Sequence, residues 1–175
     1  LIYWLSEICR VHTCPFEDVM KLPFAENGYD DDDCHPRYIA CLLRIGDLLD
    51  IDNNRISEVL LSTLGAIPYD SLLHKHKTAS IRRLEINTKE ISISAECDSY
   101  EVADISNKWF DWINEEFTNQ LKNWNNIVPN SNYGYLPTVG ELNVILKNFD
   151  LFDGKARPHF SINSQKAIEL LQGAG

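Results

Sequence analysis

The stretch Ile39 to Asp50, which reads IACLLRIGDLLD, decides how the rest of the sequence is interpreted. Its apolar side chains are spread around nearly the whole circumference of a helix, which is typical of a helix enclosed in a protein interior. Asp47 follows Leu43 by four residues and therefore shares a helix face with it. Because an isolated buried charge is costly, we expect the Asp47 carboxylate to be paired, hydrogen-bonded or bound to a metal.

Flanking residues mark the two ends of this predicted helix. The acidic run from Asp30 to Asp33 suits the positive end of a helix dipole, and Pro36 suits a first helical turn. Beyond Asp50, the segment 52–54 consists of Asp and Asn residues, which favour turns over helix interiors. The helix is therefore expected to lie between Pro36 and Asp50.

Apolar periodicity along the rest of the chain predicts an α+β fold that is mainly helical. Helical spacing covers 1–12 and 101–125, and shorter helices are expected at 56–64 and 69–77. The long helix at 101–125 is amphipathic, with an apolar stripe made of Val102, Ile105, Trp109, Ile113, Phe117, Leu121 and Trp124. Alternating apolar and polar residues at 80–97 predict a β-hairpin.

Domain boundaries follow from the same patterns. Residues 1–126 form a partial helical domain, and 127–139, rich in Asn and Pro, form a linker. Residues 140–175 form a small α+β tail that leads to a following domain, with strands at 141–149 and 159–162 and a last helix through Leu171. The chain begins at Leu1 without a Met and within an apolar helical pattern, so we expect a fragment of a longer protein.

Composition restricts the classes of function. The chain has 175 residues and a formal net charge of -10, which disfavours binding to nucleic acid or to an anionic membrane surface. No apolar run approaches the ~20 residues that span a bilayer. The five cysteines are odd in number and irregularly spaced, with Cys41 and Cys97 on apolar faces, so we expect reduced thiols in a cytoplasmic protein.

The motif LLRIGDLLD, at Leu42 to Asp50, resembles the last motif of HD-superfamily phosphohydrolases. In that superfamily a helix reading L-L-R-x-x-D-x-L-D supplies the final metal-ligating aspartate. The resemblance implies that Asp47 is this aspartate and that His12 occupies the place of another active-site histidine. It also implies that both residues are catalytic and hold a divalent metal (Mn, Fe, Ni, Mg or Zn). The superfamily's His and His-Asp motifs are expected upstream of Leu1, so the metal site is incomplete in this chain.

Further similarity lies downstream of this motif. Residues 68–81, followed by a hairpin and a Trp-rich helix, resemble the HD-type domain of large bacterial proteins in which a GHKL-type ATPase follows. The closing segment 160–175 is similar to the lead-in to that ATPase. The resemblance implies that an ATPase domain in the same chain is the partner of this segment.

The one basic cluster in this acidic chain supports two interpretations. It consists of His74, Lys75, His76, Lys77, Arg82 and Arg83. His74, Lys75 and Lys77 could contact the phosphates of a nucleotide substrate. Alternatively, the cluster is a solvated helix face followed by an exposed strand edge.

Asp47 and the cysteines also have alternative interpretations. Asp47 could bind a metal that activates water for attack on a phosphate ester, or it could pair with Arg44, three residues earlier on the same helix. A zinc site could be formed from a second set of residues, although its spacing matches no zinc motif: Cys9, His12, Cys14, Cys34 and His35.

Three functions are consistent with the sequence. The leading hypothesis is a regulatory or scaffolding HD-like segment of a larger bacterial protein that is non-catalytic as given. The alternative is a metal-dependent phosphohydrolase acting on a nucleotide, with Asp47, His12 and Lys75 or Lys77 at its site. A third hypothesis is a protein–protein interaction module that uses the acidic surface and the Trp-bearing helix.

Overall fold

Five α-helices and two small β-sheets make up the residues that the computed structural model describes, which are 2–27, 33–51 and 68–147. The α+β class with mostly helical content, predicted from the sequence, is confirmed. The predicted helix at 56–64, the strand at 159–162 and the last helix lie outside the described residues.

Four of the five described helices lie close to positions predicted from the sequence. In chain order they are α1 (Ile2–Val11), α2 (Phe16–Met20), α3 (Pro36–Leu48), α4 (Tyr69–Ser80) and α5 (Tyr100–Asn123). Pro36 is in the first turn of α3, as the sequence predicts. Helix α5 begins after Ser99, whose Oγ accepts a hydrogen bond from the backbone N–H of Val102 at 3.3 Å and so caps the helix.

The strands form one two-stranded and one three-stranded sheet. Strands β1 (Glu26–Asn27) and β2 (Asp33–Cys34) pair antiparallel. The predicted hairpin is confirmed as β3 (Ile81–Ile86) and β4 (Glu90–Cys97), also antiparallel. Strand β5 (Thr138–Leu146) pairs parallel with β4, giving the order β3-β4-β5. The first strand of the predicted tail therefore belongs to the same sheet as the hairpin, and α5 is part of the crossover that parallel pairing requires.

The hairpin turn is held by the side chain of Asn87. Its Oδ1 accepts hydrogen bonds from the backbone N–H groups of Lys89 and Glu90, at 2.8 and 3.0 Å. An Asn side chain can close a turn in this way without the Asn-Gly pair that two-residue hairpin loops favour. The sequence has no Asn-Gly pair at this position, so the turn type was not predicted from it.

Two apolar clusters form the core. One lies between α5 and the three-stranded sheet, where alternate β4 residues pack against α5; its buried members are Ile91, Ile93, Ala95, Cys97, Val102, Ala103, Trp109, Phe110, Ile113 and Phe117. The other lies among α1, α2, α3 and the end of α5, with buried members Ile8, Val11, Phe16, Val19, Leu22, Ala40, Cys41, Trp124 and Ile127. Cys41 and Cys97 are fully buried, which confirms their predicted place in the core.

Helix α3 is not enclosed, and the prediction of an internal helix is wrong. Only one of its faces is buried, while Ile39, Leu42 and Leu43 expose 43%, 42% and 40% of their surface. The apolar pattern around the circumference was consistent with an internal helix, but in the described part of the chain packing covers the side that meets α1, α2 and α5. Within the described residues, no helix is long and apolar enough to cross a membrane.

Candidate functional site

Arg44 is at the centre of the polar contacts made by α3. Its Nε and Nη2 donate to the two carboxylate oxygens of Glu116 on α5, at 2.8 and 2.6 Å. The side chains of Arg44 and Glu116 are only 13% and 6% exposed. Such two-point pairing matches the planar guanidinium to the planar carboxylate and fixes the relative position of the two helices.

The same guanidinium also binds the end of α1. Its Nη1 donates to the carbonyl oxygens of Val11, His12 and Cys14, at 3.3, 2.9 and 2.6 Å. These carbonyls lie at the negative end of α1, where backbone acceptors lack partners within the helix. Arg44 therefore joins α1, α3 and α5 through one side chain.

Gln120 extends this network by one turn of α5. Its Nε2 donates to Glu116 Oε1 at 2.7 Å and to the backbone carbonyl of Cys41 at 3.0 Å. Gln120 is fully buried, and its Oε1 is the buried side-chain atom that has no hydrogen-bond partner within the described part of the chain. The bonds of Nε2 determine the amide orientation, because a reversed amide would place its own oxygen, an acceptor, against the acceptor oxygens of Cys41 and Glu116.

The alternative interpretation of Asp47, an ion pair with Arg44, is wrong. Arg44 binds Glu116 and the end of α1, and the hydrogen bond to Glu116 raises its pKa above the ordinary arginine value. Sequence proximity on one helix favoured Asp47 as the partner, but the carboxylate of Glu116 reaches the buried side of α3 and that of Asp47 does not.

Asp47 lies on the exposed side of α3, so the prediction that it is buried is wrong as well. A shallow depression follows this side of the helix and is lined by Ile39, Leu42, Leu43, Gly46, Asp47 and Asp50. Because the carboxylate reaches water, it needs no compensating partner, and the argument from the cost of burial does not apply.

His12 lies just beyond α1 and is half-buried. One of its ring nitrogens, Nδ1, lies within hydrogen-bond distance of the Cys9 carbonyl, and His12 does not line the depression that contains Asp47. Among residues 2–27, 33–51 and 68–147, no group of three or more His, Cys, Asp or Glu side chains is placed to bind a metal ion. Asp47 and His12 alone fall short of the three protein ligands that are typical of a catalytic zinc site.

The alternative zinc site is not formed by the described residues either. All five cysteines are free thiols. Cys14 Sγ lies 3.4 Å from the carbonyl of Arg10, and His35 Nδ1 lies 2.9 Å from the carbonyl of Phe24. These side chains satisfy local backbone groups and do not converge on one point.

The predicted phosphate-binding residues of α4 have different surroundings. His74 is exposed and Lys75 is half-buried. Lys77 lies with its Nζ 4.5 Å from the centre of the Trp109 ring, and burial lowers the pKa of its ammonium group. Trp109 Nε1 in turn donates to the backbone carbonyl of Leu48 at 2.9 Å, at the end of α3. Lys77 is thus part of the packing among α3, α4 and α5, and the phosphate-binding role of all three residues stays a prediction.

Two polar residues of this network were missed by the sequence interpretation. Glu116 and Gln120 are buried on α5, four residues apart. Their signal was present, because both lie on the same side of α5 as Ile113 and Phe117 and interrupt its apolar side with polar groups at helical spacing. A polar pair within an apolar stripe predicts a buried network, but its spacing does not identify Arg44 as the partner.

These features define an HD-type domain, in which a helix carrying the pattern L-L-R-x-x-D-x-L-D is surrounded by a mainly helical body with a small sheet. The chain belongs to the HD-CE family, whose sequence profile matches residues 1–119. The match ends within α5, four residues before the end of that helix at Asn123. No curated protein and no solved structure gives a significant match to the chain. The expected HD-type domain is confirmed, whereas the ATPase association and the bacterial origin stay predictions.

Proposed function

We propose that this chain is a non-catalytic HD-type module that regulates or scaffolds a larger bacterial, cytoplasmic protein. In this proposal the partner is an ATPase domain that follows in the same polypeptide. The module acts on this ATPase domain through the relative positions of its helices, and it carries out no hydrolysis itself.

One observation carries the proposal: the HD motif contributes its arginine to packing and leaves its aspartate at the surface. Arg44 joins three helices through hydrogen bonds to Glu116 and to the end of α1. Asp47 lies exposed in a shallow depression, and the described residues supply it with no set of further metal ligands. The hydrogen-bond network of Arg44 therefore supports a role for α3 in holding the helices of the module together.

A metal-dependent phosphohydrolase is the second candidate, because Asp47 matches the metal-ligating aspartate of the motif and its carboxylate is accessible. A divalent metal bound there would activate water for attack on a phosphate ester. Asp47 would be one ligand, with His12 assisting and Lys75 or Lys77 contacting phosphate. The described residues do not complete such a site.

The two candidates are separated by metal content and phosphodiesterase activity. The chain is purified without chelator, metals are measured by inductively coupled plasma mass spectrometry, and hydrolysis of bis(p-nitrophenyl) phosphate is assayed with added Mn²⁺. Asp47→Asn removes the charge at the motif, and Asp111→Asn is the matched control at an exposed position of α5. We expect no metal and no hydrolysis that depend on Asp47. Near-stoichiometric metal lost only in Asp47→Asn, together with hydrolysis, would establish the second candidate.

The regulatory role is tested separately on the parent polypeptide. ATP hydrolysis is measured for the wild type and for Arg44→Met, at a temperature where circular dichroism shows both to be folded. Because Arg44 joins α1, α3 and α5, its loss is expected to change the rate of ATP hydrolysis severalfold while leaving nucleotide affinity unaltered. An unchanged rate, or a parent without ATPase activity, would contradict the proposal.

A further inference from the structure

The exposed face of α3 carries a continuous stripe of side chains with two chemically different halves. Its residues, Ile39, Leu42, Leu43, Gly46, Asp47 and Asp50, recur at steps of three and four and line the shallow depression. At 1.5 Å per residue the stripe is roughly 16 Å long. Its N-terminal half is apolar and its C-terminal half is acidic.

The apolar half is unusual for a surface. Ile39, Leu42 and Leu43 are neighbours on one helix face, and each exposes about two fifths of its surface. Single exposed apolar residues are common, but a contiguous group bordered by polar residues is typical of an interaction site. Anchors at positions i, i+3 and i+4 are also the arrangement by which helices recognise each other.

The glycine at position 46 indicates that the element bound to this stripe is a helix. A Cβ added at Gly46 would meet no atom within 4 Å, and its φ is not in the left-handed region, so the described structure itself gives no reason for glycine. In a helix interior glycine costs about 1 kcal/mol relative to alanine. A glycine between Leu43 and Asp47 lets the backbone of a second helix approach closely, which an alanine would hinder.

The carboxylate of Asp47 indicates the charge of the helix that would bind here. Asp47 lies in the last turn of α3, where the helix dipole is negative, and this turn contains no basic residue. A carboxylate in this position is stabilised by a cation from outside the helix. The formal charge of -10 on the chain favours a basic partner for the same reason.

We propose that this α3 stripe binds one amphipathic, basic helix of a partner protein. Its apolar side chains pack on Ile39, Leu42 and Leu43, its backbone crosses near Gly46, and a Lys or Arg pairs with Asp47. The inference rests on the proposed function, since it names the surface through which a non-catalytic module acts.

A second copy of the chain fits this surface poorly. A parallel pair of α3 stripes would bring Asp47 against the Asp47 of the other copy. An antiparallel pair with the two stripes fully overlapped would bury Asp47 against Leu42 without a counter-charge, which is costly. An anionic membrane surface is disfavoured by the same carboxylate.

The test uses two synthetic helical peptides of about 18 residues, long enough to form a helix in a complex. Both have leucines at positions i, i+3, i+4 and i+7, and one has lysines at both ends where the other has glutamates. Binding to the chain is followed by fluorescence anisotropy in the presence of EDTA. We expect the lysine peptide to bind at least about tenfold more tightly than the glutamate peptide, a difference of about 1.4 kcal/mol.

Substitutions within the stripe test whether the lysine peptide binds there. Leu42→Asp is expected to weaken binding of the lysine peptide about tenfold or more, while Leu72→Asp, at a 36% exposed leucine of α4, leaves it unchanged. Asp47→Lys is expected to reverse the preference between the two peptides. Gly46→Ala is expected to raise the melting temperature and to weaken binding, a combination that a purely structural glycine would not give.

Three results would overturn the proposal: neither peptide binds, binding is insensitive to Leu42→Asp and Asp47→Lys, or the chain dimerises through Leu42 in analytical ultracentrifugation. The peptide assay contains EDTA and no substrate, so its outcome is independent of the metal and hydrolysis measurements. Failure of the docking surface is therefore distinguishable from failure of the non-catalytic assignment.

Discussion

Arg44 on α3 and Glu116 on α5 are 72 positions apart in the sequence and form a two-point ion pair, with N–O distances of 2.8 and 2.6 Å. Both side chains are almost completely buried. A buried pair of this kind adds little to the free energy of unfolding compared with apolar residues of the same volume. The loss of one partner, however, leaves the other charge buried without a counter-charge. The ion pair therefore connects α3 to α5, and its effect on stability becomes visible when one of the two residues is substituted.

Substitution of Glu116 by Ala is expected to destabilise the chain by about 3–5 kcal/mol, because the Arg44 guanidinium then remains buried without its carboxylate. Urea denaturation followed by circular dichroism measures this change in the free energy of unfolding. The double variant Arg44→Met, Glu116→Leu is expected to recover most of the loss. A destabilisation below about 1 kcal/mol for Glu116→Ala would contradict a buried, structural pair.

The helices and the hairpin could be predicted because their signals are local. The stripe from Val102 to Trp124 and the alternation at 80–97 depend on spacing alone, and both elements are present. The exposure of α3 could not be predicted in this way. Its sequence is apolar on nearly all sides, and among the described elements the positions of α1, α2 and α5 decide which side is covered.

The candidate site was predictable only in part, because long-range partners decide the role of each charge. The motif correctly indicated an HD-type helix. It did not show that Arg44 would bind Glu116 and not Asp47, since pairing across 72 positions leaves no local pattern. Likewise, the basic residues of α4 formed one cluster in the sequence, whereas packing placed Lys77 on the Trp109 ring.

Trp109 and Trp112 lie one helical turn apart on α5 and are expected to respond differently to the same substitution. Trp109 is 5% exposed and donates to the Leu48 carbonyl at 2.9 Å, whereas Trp112 is 58% exposed. Trp109→Phe is expected to lower the free energy of unfolding by about 1–3 kcal/mol, through the lost hydrogen bond and the smaller ring. Trp112→Phe, the matched control, is expected to change it by less than about 0.5 kcal/mol. Equal effects in thermal and urea denaturation would refute the role given to the indole N–H.

Gly140 on β5 is expected to tolerate no side chain without a local rearrangement. A Cβ there would lie 2.7 Å from Ser92 Oγ and 3.2 Å from Glu90 Oε2. Ser92 is 7% exposed, and its Oγ accepts a hydrogen bond from the backbone N–H of Glu141 at 3.2 Å. Gly140→Ala must therefore displace the hydroxyl, with an expected cost of about 0.5–1.5 kcal/mol for the broken bond. The variant Ser92→Ala, Gly140→Ala removes the clash, and it should be more stable in urea than Gly140→Ala with Ser92 retained.

The cysteines are expected to react with iodoacetamide in an order set by burial and ionisation. Cys9 is exposed, whereas Cys41 is fully buried, and this burial raises the pKa of the Cys41 thiol to about 12. Because the thiolate is the reactive form, native Cys41 is expected to remain unmodified near pH 8 while Cys9 is alkylated; peptide mass spectrometry assigns each site. The unfolded chain ionises Cys41 near its ordinary pKa of about 8.5, so the stability associated with the neutral thiol is present below that pH and falls as the pH rises towards 12. Modification of Cys41 in urea but not in native buffer is the expected control, and equal rates in native buffer would contradict the packing of α3 against α5.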